Sequence, residues 1–176
     1  MDAAQLKDQI PALRRYARAL TGSAWAADDL VQDTLERACT KWALWTAGSN
    51  LRAWLFTIMH NIHVSDVRRI TRQHAGTDPD GLEGEASGLM SPASHADSRM
   101  DLQRCLLQLP EDQRTVLLLV ALEDMSYAEV ATITGCPLGT VMSRLSRART
   151  RLQNLMDGTP ASSKRGADVV PLQRVR

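Results

Sequence analysis

The stretch SYAEVATITGCPLGTVMSRLSRARTRL, residues 126–152, contains two amphipathic helical patterns on either side of a short break. Ser126 and Glu129 have the spacing of a capping box, in which each side chain accepts a hydrogen bond from the other residue's backbone. Gly135 and Pro137 predict the break, because glycine adopts the left-handed backbone of a helix end and proline suits the start of a new helix. The stretch therefore predicts a helix-turn-helix.

The second of these patterns has one apolar face and one basic face. Its apolar residues recur at steps of three and four and predict a buried stripe of Leu138, Val141, Met142, Leu145, Ala148 and Leu152. The opposite face has no acidic residue and carries Thr140, Ser143, Arg144, Arg147 and Arg151, with Arg149 on its flank. Arginine binds phosphate or guanine, and serine and threonine contact backbone or bases. The pattern favours a DNA-reading helix over an ordinary helical hairpin with solvated arginines.

Length and composition limit the fold and the class of protein. The chain has 176 residues, a hydrophobic content of 44% and a net charge of +1, which allows one domain or two small ones. Glycine and proline are sparse inside the periodic segments and no alternating β-branched run is present, so the sequence predicts an all-α fold. Proteins held on DNA by bulk charge are more basic, so we expect a partner to complete the DNA-binding site.

The cysteines and the start of the chain indicate where the protein acts. Cys39, Cys105 and Cys136 are widely spaced and form no CxxC pair, which is typical neither of a disulfide framework nor of a zinc site. No basic region followed by an apolar run begins the chain, and no stretch approaches the length that crosses a bilayer. We expect a cytoplasmic protein without membrane insertion, without a metal and without another cofactor.

A change in composition divides the chain into two predicted helical domains. The segment between His74 and Asp97 is rich in glycine, serine, proline and acids and predicts a flexible linker, long enough at roughly 75 Å when extended to hold the domains apart. The alternative is an insertion that folds on a partner. The predicted boundaries are 1–75 for the first domain, 76–97 for the linker, 98–157 for the second domain and 158–176 for a basic tail.

Three helical patterns fall in the first domain, over residues 10–20, 24–42 and 50–72. Their predicted core stripes are Ile10, Leu13, Ala17 and Leu20 in the first, Ala27, Leu30, Val31, Leu35 and Ala38 in the second, and Leu51, Trp54, Leu55, Ile58 and Ile62 in the third. Ser23 is a candidate cap for the second helix. The tryptophans are expected in the core, apart from Trp45 near the surface.

The second of these helices has an acidic exposed side. Asp29, Gln32, Asp33 and Glu36 follow one another at helical spacing, where they can face a basic groove on another protein. A solvated face without a partner is the alternative. Paired carboxylates also perform acid–base chemistry, but no pocket, nucleophile or second cluster accompanies these residues, so the sequence favours a protein that is not an enzyme.

The third helix has a polar side made of Asn61, Ser65, Arg68 and Arg72, with His60, His63 and Arg69 beside it. Basic residues next to an amide and two imidazoles fit contact with phosphates and with an unstacked base. His60 and His63 are also spaced as a metal-binding pair, but no third ligand accompanies them.

Four motifs, in this order and spacing, resemble those of the extracytoplasmic function (ECF) branch of bacterial sigma-70 factors. They are DDLVQDTLERA (28–38), NLRAWLFTIMHNIHVSDVRR (50–69), LPEDQRTVLLLVALEDMSYAEVA (109–131) and GCPLGTVMSRLSRARTRL (135–152). The resemblance implies one domain that engages RNA polymerase and the minus-10 element and another that reads the minus-35 element. Two small helical domains and a flexible linker are the fold it implies.

The resemblance also implies roles for individual residues. Asp29, Gln32, Asp33 and Glu36 would bind the clamp helices of the largest subunit of core RNA polymerase. Thr46, Ala47, Gly48, Ser49, Asn50 and Asn61 would lie at the melted minus-10 strand of the promoter DNA, and Arg68, Arg69 and Arg72 would follow its backbone. Thr140, Ser143, Arg144, Arg147, Arg149 and Arg151 would contact the minus-35 element. Members of the family usually have an anti-sigma factor as a partner.

The chain departs from the family pattern in its loop TAGSN (46–50), where many relatives have a proline and a threonine, and in its tail after Asp157. Three hypotheses stay open: a sigma factor, a helix-turn-helix regulator that acts without polymerase, and a decoy that keeps the fold but not promoter activity. The acidic side of the second helix favours the first over the second, because a simple regulator does not need it.

Overall fold

The computed structural model of the chain describes residues 3–45, 49–74 and 94–157. Within these ranges the fold is all-α, as predicted, with no strand and one 3-10 turn at Trp42–Leu44. The helices are α1 (Ala3–Thr21), α2 (Ala24–Thr40), α3 (Leu51–His74), α4 (Ser94–Leu107), α5 (Glu111–Ala121), α6 (Tyr127–Thr134) and α7 (Leu138–Met156). None of these helices is long and apolar enough to span a membrane.

Helix α1 begins seven residues before its predicted start and contains Pro11. Leu6 is 8% exposed and extends the buried stripe of Leu13 and Leu20 by two turns toward the start of the chain. Pro11 lacks a backbone N–H and disfavours the helix around it, but it lies on the exposed side. Burial of Leu6 against the core therefore outweighs the local signal that placed the helix start at Ile10.

Local capping signals fix the starts of α2 and α3. The hydroxyl of Ser23 accepts a hydrogen bond of 3.3 Å from the backbone N–H of Ala26, as predicted. The carboxamide oxygen of Asn50 accepts one of 3.0 Å from Ala53. Each bond satisfies a donor that the first turn of a helix leaves without a partner. Ala27, Leu30, Val31 and Ala38 of α2 are buried as predicted.

The prediction that Trp25 lies in the core is wrong. Trp25 is 79% exposed, because it stands two residues before the buried Ala27 and two residues place side chains on opposite sides of a helix. The other three tryptophans pack together and are half-buried. The ring of Trp42 lies 5.0 Å from that of Trp45 and 6.1 Å from that of Trp54.

The helix-turn-helix has the predicted local structure. Ser126 and Glu129 form a complete capping box at the start of α6, and Gly135 ends the helix in the left-handed conformation, with φ 64°. Val141, Leu145 and Ala148 of α7 are buried as predicted, but Leu138 and Met142 are 45% and 47% exposed. They lie at the edge of the apolar stripe, one turn before the buried Val141 and Leu145 or beside them.

Helix α4 begins at Ser94, so the last four residues of the predicted linker are helical. The rest of the linker, 76–93, and the tail, 158–176, lie outside the described residues.

The two helical domains pack against each other, although the predicted linker is long enough to keep them apart. Helices α1 and α3 of the N-terminal domain contact α4, α5 and α6 of the C-terminal domain, and the buried side chains of both belong to one hydrophobic cluster. The Gln103 carboxamide donates a hydrogen bond of 3.1 Å to the carbonyl of Ala19. Gly22 fits tightly, because a Cβ there would lie 2.5 Å from Leu107 Cδ1.

Candidate functional site

The acidic side of α2 is exposed as predicted. Asp29, Gln32, Asp33 and Glu36 all point to solvent, and Gln32 Nε2 donates a hydrogen bond of 3.0 Å to Glu36 Oε1. This contact is an i, i+4 pair within one helix, so it leaves Asp29 and Asp33 accessible to a partner.

These carboxylates line a groove rather than the open surface that the sequence suggested. The acidic groove, as we call it, has a volume of about 400 Å³. Its lining includes Trp25, Asp29, Asp33, Asp66 and Ile70, and also the basic Arg69 and Arg114. Ile70 is 49% exposed, so two large apolar side chains flank the acids. The pKa of Asp33 is raised, first by partial burial and then by the neighbouring charges of Asp29, Glu36 and Asp66. Arg69, paired with Asp66 at 3.2 Å, and Arg114 offset part of this charge. The α2 side of the groove, with Asp29 and Asp33, is therefore the side that favours a basic partner.

The candidate minus-10 loop lies only partly within the described residues. Thr46, Ala47 and Gly48 lie outside them, and Ser49 and Asn50 are exposed. The side chain of Asn50 donates a hydrogen bond of 2.7 Å to Glu129 Oε1 in α6, besides capping α3. Asn50, which the sequence predicts to contact promoter DNA, is therefore hydrogen-bonded to the C-terminal domain.

The other candidate minus-10 residues lie along α3 and are exposed: Asn61, Arg68, Arg69 and Arg72. Arg69 forms an ion pair of 3.2 Å with Asp66 one turn earlier. Arg72 Nε donates a hydrogen bond of 3.1 Å to the carbonyl of Arg68. Exposed pairs of this kind contribute little to stability and leave the guanidiniums free to meet phosphate.

His60 and His63 lie on the side of α3 that faces the C-terminal domain, and the pKa of each imidazole is lowered. Burial is the main cause in both, and the nearby guanidiniums of Arg144 for His60 and Arg114 for His63 add to it. The pKa of His63 falls to about 4, so its imidazole is neutral at pH 7. Its Nε2 lies 3.5 Å from Glu111 Oε1, and at that pH the contact is not an ion pair.

No group of three or more metal-ligating side chains occurs in the described part of the chain, and His60 and His63 have no third ligand there.

The candidate minus-35 residues lie on α7 and differ in exposure. Arg147, Arg149 and Arg151 are exposed, whereas Thr140, Ser143 and Arg144 are half-buried. Arg144 Nε forms an ion pair of 2.9 Å with Asp112 of α5. It also lines a cavity of about 390 Å³ together with His60 and Arg68 of α3. One residue of each candidate DNA-binding set, Arg68 and Arg144, thus lies at the junction of the domains.

The junction also contains a buried carboxylate that the sequence did not single out. Glu123, between α5 and α6, is 1% exposed. Arg15 donates to both of its carboxylate oxygens, at 3.0 and 2.8 Å, and Arg52 donates to Oε2 at 2.6 Å and to the backbone carbonyl at 2.9 Å. We call these three residues the Glu123 cluster. Only the tertiary fold brings together partners 108 and 71 positions away, so no local pattern predicts them.

Two protein-family models match the two domains. The model of the sigma2 domain of PhyR matches residues 6–60, and that of region 4 of sigma-70 matches residues 99–152. The two matched domains follow each other in the order that the sequence motifs indicate.

Individual relatives agree with these matches. The chain is 44% identical over 149 residues to the ECF RNA polymerase sigma factor EcfG of Rhodopseudomonas palustris, which covers 84% of this chain and 80% of that protein. It resembles the structure of the sigma factor RpoE in complex with the anti-sigma factor NepR from Bartonella quintana, with a TM-score of 0.75 and 39% identity over 88% of this chain and 95% of that one.

The anti-anti-sigma factor PhyR of the same organism, in complex with NepR, gives a TM-score of 0.59 and 18% identity over 86% of this chain and 49% of PhyR. This similarity concerns the fold alone. The similarity in sequence is to sigma factors, and it extends over both domains. The chain therefore belongs to the ECF family of RNA polymerase sigma factors.

Proposed function

We propose that this chain binds core RNA polymerase through the acidic groove and directs it to promoters whose minus-35 element is read by α7. The chain then holds the melted minus-10 strand beside α3. The observation that carries the proposal is the exposed pair Asp29 and Asp33 in one domain, combined with an acid-free arginine face on the other. A regulator that acts without polymerase needs only the second of these features.

The groove suits a basic helix with apolar residues. Trp25 and Ile70 offer apolar contact on either side of the carboxylates, and a large exposed aromatic ring is a common anchor in protein interfaces. The carboxylates supply orientation and fast association, because complementary charge steers encounter. The clamp helices of the largest polymerase subunit are the partner that we propose.

Promoter opening then depends on strand capture. Unstacking a base costs a few kcal/mol, and a pocket that binds the extruded base offsets part of this cost. In this proposal the loop 46–50 and Asn61 contact the base while Arg68, Arg69 and Arg72 bind phosphates. The chain makes and breaks no bond, since the polymerase performs nucleotidyl transfer in the cytoplasm, where we place both proteins.

An anti-sigma factor is the further partner that we propose. Support comes from the relative RpoE, which was crystallised with the anti-sigma factor NepR.

A decoy without promoter activity is the second candidate function. The observation in its favour is that the family model for residues 6–60 is that of the PhyR sigma2 domain, and PhyR is described as an anti-anti-sigma factor. The greater identity to EcfG favours the sigma factor. The two functions differ in one measurable respect, which is start-site selection.

Reconstituted transcription with core polymerase and a genomic promoter library tests the proposal. We expect the wild-type chain to select a set of start sites that share an upstream element. The variant with Asp29→Arg and Asp33→Arg should lose core polymerase binding, because two charge reversals repel a basic partner. The matched control reverses two exposed acids elsewhere, Asp8→Arg and Asp101→Arg, and should bind normally. Start sites that do not depend on the chain would support the decoy.

A further inference from the structure

The α2 side of the acidic groove has two carboxylates, of Asp29 and Asp33, that form no ion pair with any residue in the described ranges. On the other wall, Asp66 is already paired with Arg69 at 3.2 Å, and the guanidinium of Arg114 donates a hydrogen bond of 3.1 Å to the last carbonyl of α4. Partial burial and the charge of Asp29 raise the pKa of Asp33. A cation placed beside the two carboxylates would relieve their repulsion.

The same groove also offers exposed apolar surface. Trp25 of α2 is 79% exposed, Ile70 of α3 is 49% exposed and Leu107 of α4 is 41% exposed, and all three line the groove. Large apolar side chains that are grouped at the surface beside charged ones are typical of an interaction site. An occupant that fits this groove therefore carries both cationic and aliphatic side chains.

The chain itself contains a segment with this composition. Its tail, residues 158–176, reads GTPASSKRGADVVPLQRVR, with four basic residues and one acid, which gives a charge of 4 − 1 = +3. Its larger aliphatic residues are Val169, Val170, Leu172 and Val175. The linker, residues 76–93, has four acids and neither lysine nor arginine, so the carboxylates of the groove would repel it. Of these two segments, the tail is the one that complements the groove.

The tail also leaves the described structure close to the groove. Helix α7 ends at Met156, which lines a cavity of about 430 Å³ together with Gln108, just after α4. The neighbouring Leu107 lines the acidic groove, so only the end of α4, a helix about 10 Å across, separates the two. Lys164 follows Met156 by eight residues, which span up to roughly 26 Å at about 3.3 Å per residue. The first basic residues of the tail are therefore within reach of the groove.

We propose that residues 158–176 dock in the acidic groove of their own chain, with basic side chains against Asp29 and Asp33 and aliphatic ones against Trp25 and Ile70, and that they compete there with core polymerase. Docking depends only on the groove and the tail, whereas competition also rests on the function proposed above. A tethered segment has an effective concentration on the order of 1 mM, so even weak contacts fill the groove. A tail that fills about nine grooves in ten lowers the apparent affinity for polymerase about tenfold.

A spin label on the tail tests docking in the full-length chain, with no polymerase or DNA present. The label is attached to Val170→Cys after the three native cysteines are replaced by serine. We expect it to broaden the nuclear magnetic resonance signals of the Asp29 and Asp33 amides but not that of Ala53. On α3, Ala53 lies seventeen residues before Ile70, roughly 25 Å away at about 1.5 Å per residue. Unbroadened signals of Asp29 and Asp33 overturn docking.

Exchange of charge tests whether tail and groove are in direct contact. Asp29→Arg with Asp33→Arg should abolish the broadening of the groove signals, and so should Lys164→Glu with Arg165→Glu, because each pair of changes opposes like charges. All four changes together should restore it. The matched control, Lys164→Arg with Arg165→Lys, keeps the charge of the tail and should dock like the parent chain. If the folded chain with all four changes stays undocked, the proposed contact is overturned.

A mixing experiment distinguishes docking within one chain from docking between two copies. A spin-labelled chain without isotopes is mixed with an isotope-labelled chain that has no spin label. We expect no broadening in the mixture, because each tail occupies the groove of its own chain. Broadening equal to that of the singly prepared chain overturns the proposal and assigns the groove to the tail of a second copy.

Competition with polymerase has a separate readout. Lys164→Glu with Arg165→Glu should bind core polymerase severalfold more tightly than the parent chain, up to about tenfold. The control Lys7→Glu with Arg18→Glu makes the same change of charge at exposed positions of α1 and should bind like the parent. Unchanged affinity in the undocked variant overturns competition. If the tail docks but reversal of Asp29 and Asp33 leaves polymerase binding intact, docking stands and the function proposed for the groove fails.

Discussion

Arg144 differs from the other arginines of α7, because it is held in place before any DNA is bound. Its guanidinium is half-buried and paired with Asp112 at 2.9 Å, whereas Arg147, Arg149 and Arg151 are exposed. A side chain fixed near the start of a recognition helix is suited to read a base edge, and mobile exposed arginines are suited to bind phosphates. The two kinds of contact leave different signatures in binding measurements.

We expect Arg144→Ala to reduce the preference for the cognate upstream element by about 1–3 kcal/mol, because a base contact is lost. Arg151→Ala should weaken binding to all sequences alike and reduce the salt dependence, because a phosphate contact is lost. Holoenzyme binding to cognate and scrambled promoters at several salt concentrations separates the two effects. Equal losses on both sequences for both variants would remove the base-reading role of Arg144.

Trp25 is the residue of the acidic groove whose exposure the sequence did not predict. Trp25→Ala should change the free energy of unfolding by less than about 0.5 kcal/mol, because the exposed ring makes few contacts within the chain. Binding to core polymerase should weaken clearly, since an aromatic anchor is lost. Leu44→Ala is the control, as Leu44 is 74% exposed but lies outside the groove. Similar polymerase affinity for both variants contradicts the assignment.

Helix ends were predictable wherever a side chain satisfies the backbone locally. Ser23, Ser126 and Gly135 each gave the correct boundary, because their effect depends only on residues within one turn. The start of α1 was not predictable in this way, since Leu6 is held by packing between helices. The acidic side of α2 followed from helical spacing, but the groove around it needs Ile70 of α3, and the partners of Glu123 come from α1 and α3. Contacts between distant segments have no local signal.

The two glycines of the helix-turn-helix offer a test of turn chemistry. Neither has an atom within 4 Å of an added Cβ, but Gly135 has φ +64° and Gly139 lies inside α7. Gly135→Ala should destabilise the fold by about 1 kcal/mol, because alanine is strained in the left-handed region. Gly139→Ala should stabilise it by about 0.4–1 kcal/mol, because it restricts the unfolded chain. Urea unfolding measures both, and equal effects would contradict this account of the turn.

Burial of His63 between α3 and α5 should make stability depend on pH. Its pKa is about 4 in the folded chain and about 6.5 when unfolded, so the unfolded state binds more protons between these values. The stabilisation is complete above pH 6.5 and is lost as the pH falls toward 4. We expect about 2 kcal/mol less stability at pH 5 than at pH 7.5 from this group. His63→Gln should flatten the urea-unfolding profile over this range, and parallel profiles would contradict the assignment.

The molecule as a whole combines two recognition domains with one shared core. The buried side chains of both domains form a single cluster, and the Glu123 cluster adds charged links across the junction. The stability of each domain therefore depends in part on contacts with the other domain. A partner that separates the domains must bind strongly enough to replace these contacts.

Shared burial predicts one thermal transition for the wild-type chain, with calorimetric and van't Hoff enthalpies that agree. The variant with Arg15→Gln and Arg52→Gln should unfold in two transitions, because the domains lose their charged link. Asp101→Asn, which removes an exposed ion pair within α4, should keep the single transition. Two transitions in the wild-type chain would show that the domains are energetically independent.

All four tryptophans of the chain lie in its N-terminal domain, at positions 25, 42, 45 and 54. Trp25 stands alone on the surface beside the acidic groove, and the other three rings pack together next to the loop proposed for the melted strand. The intrinsic tryptophan fluorescence of the chain therefore reports on its N-terminal domain only. Acrylamide should quench the fluorescence of the exposed Trp25 first. One titration without an added label can therefore distinguish a protein that protects Trp25 in the groove from a base that disturbs the three packed tryptophans.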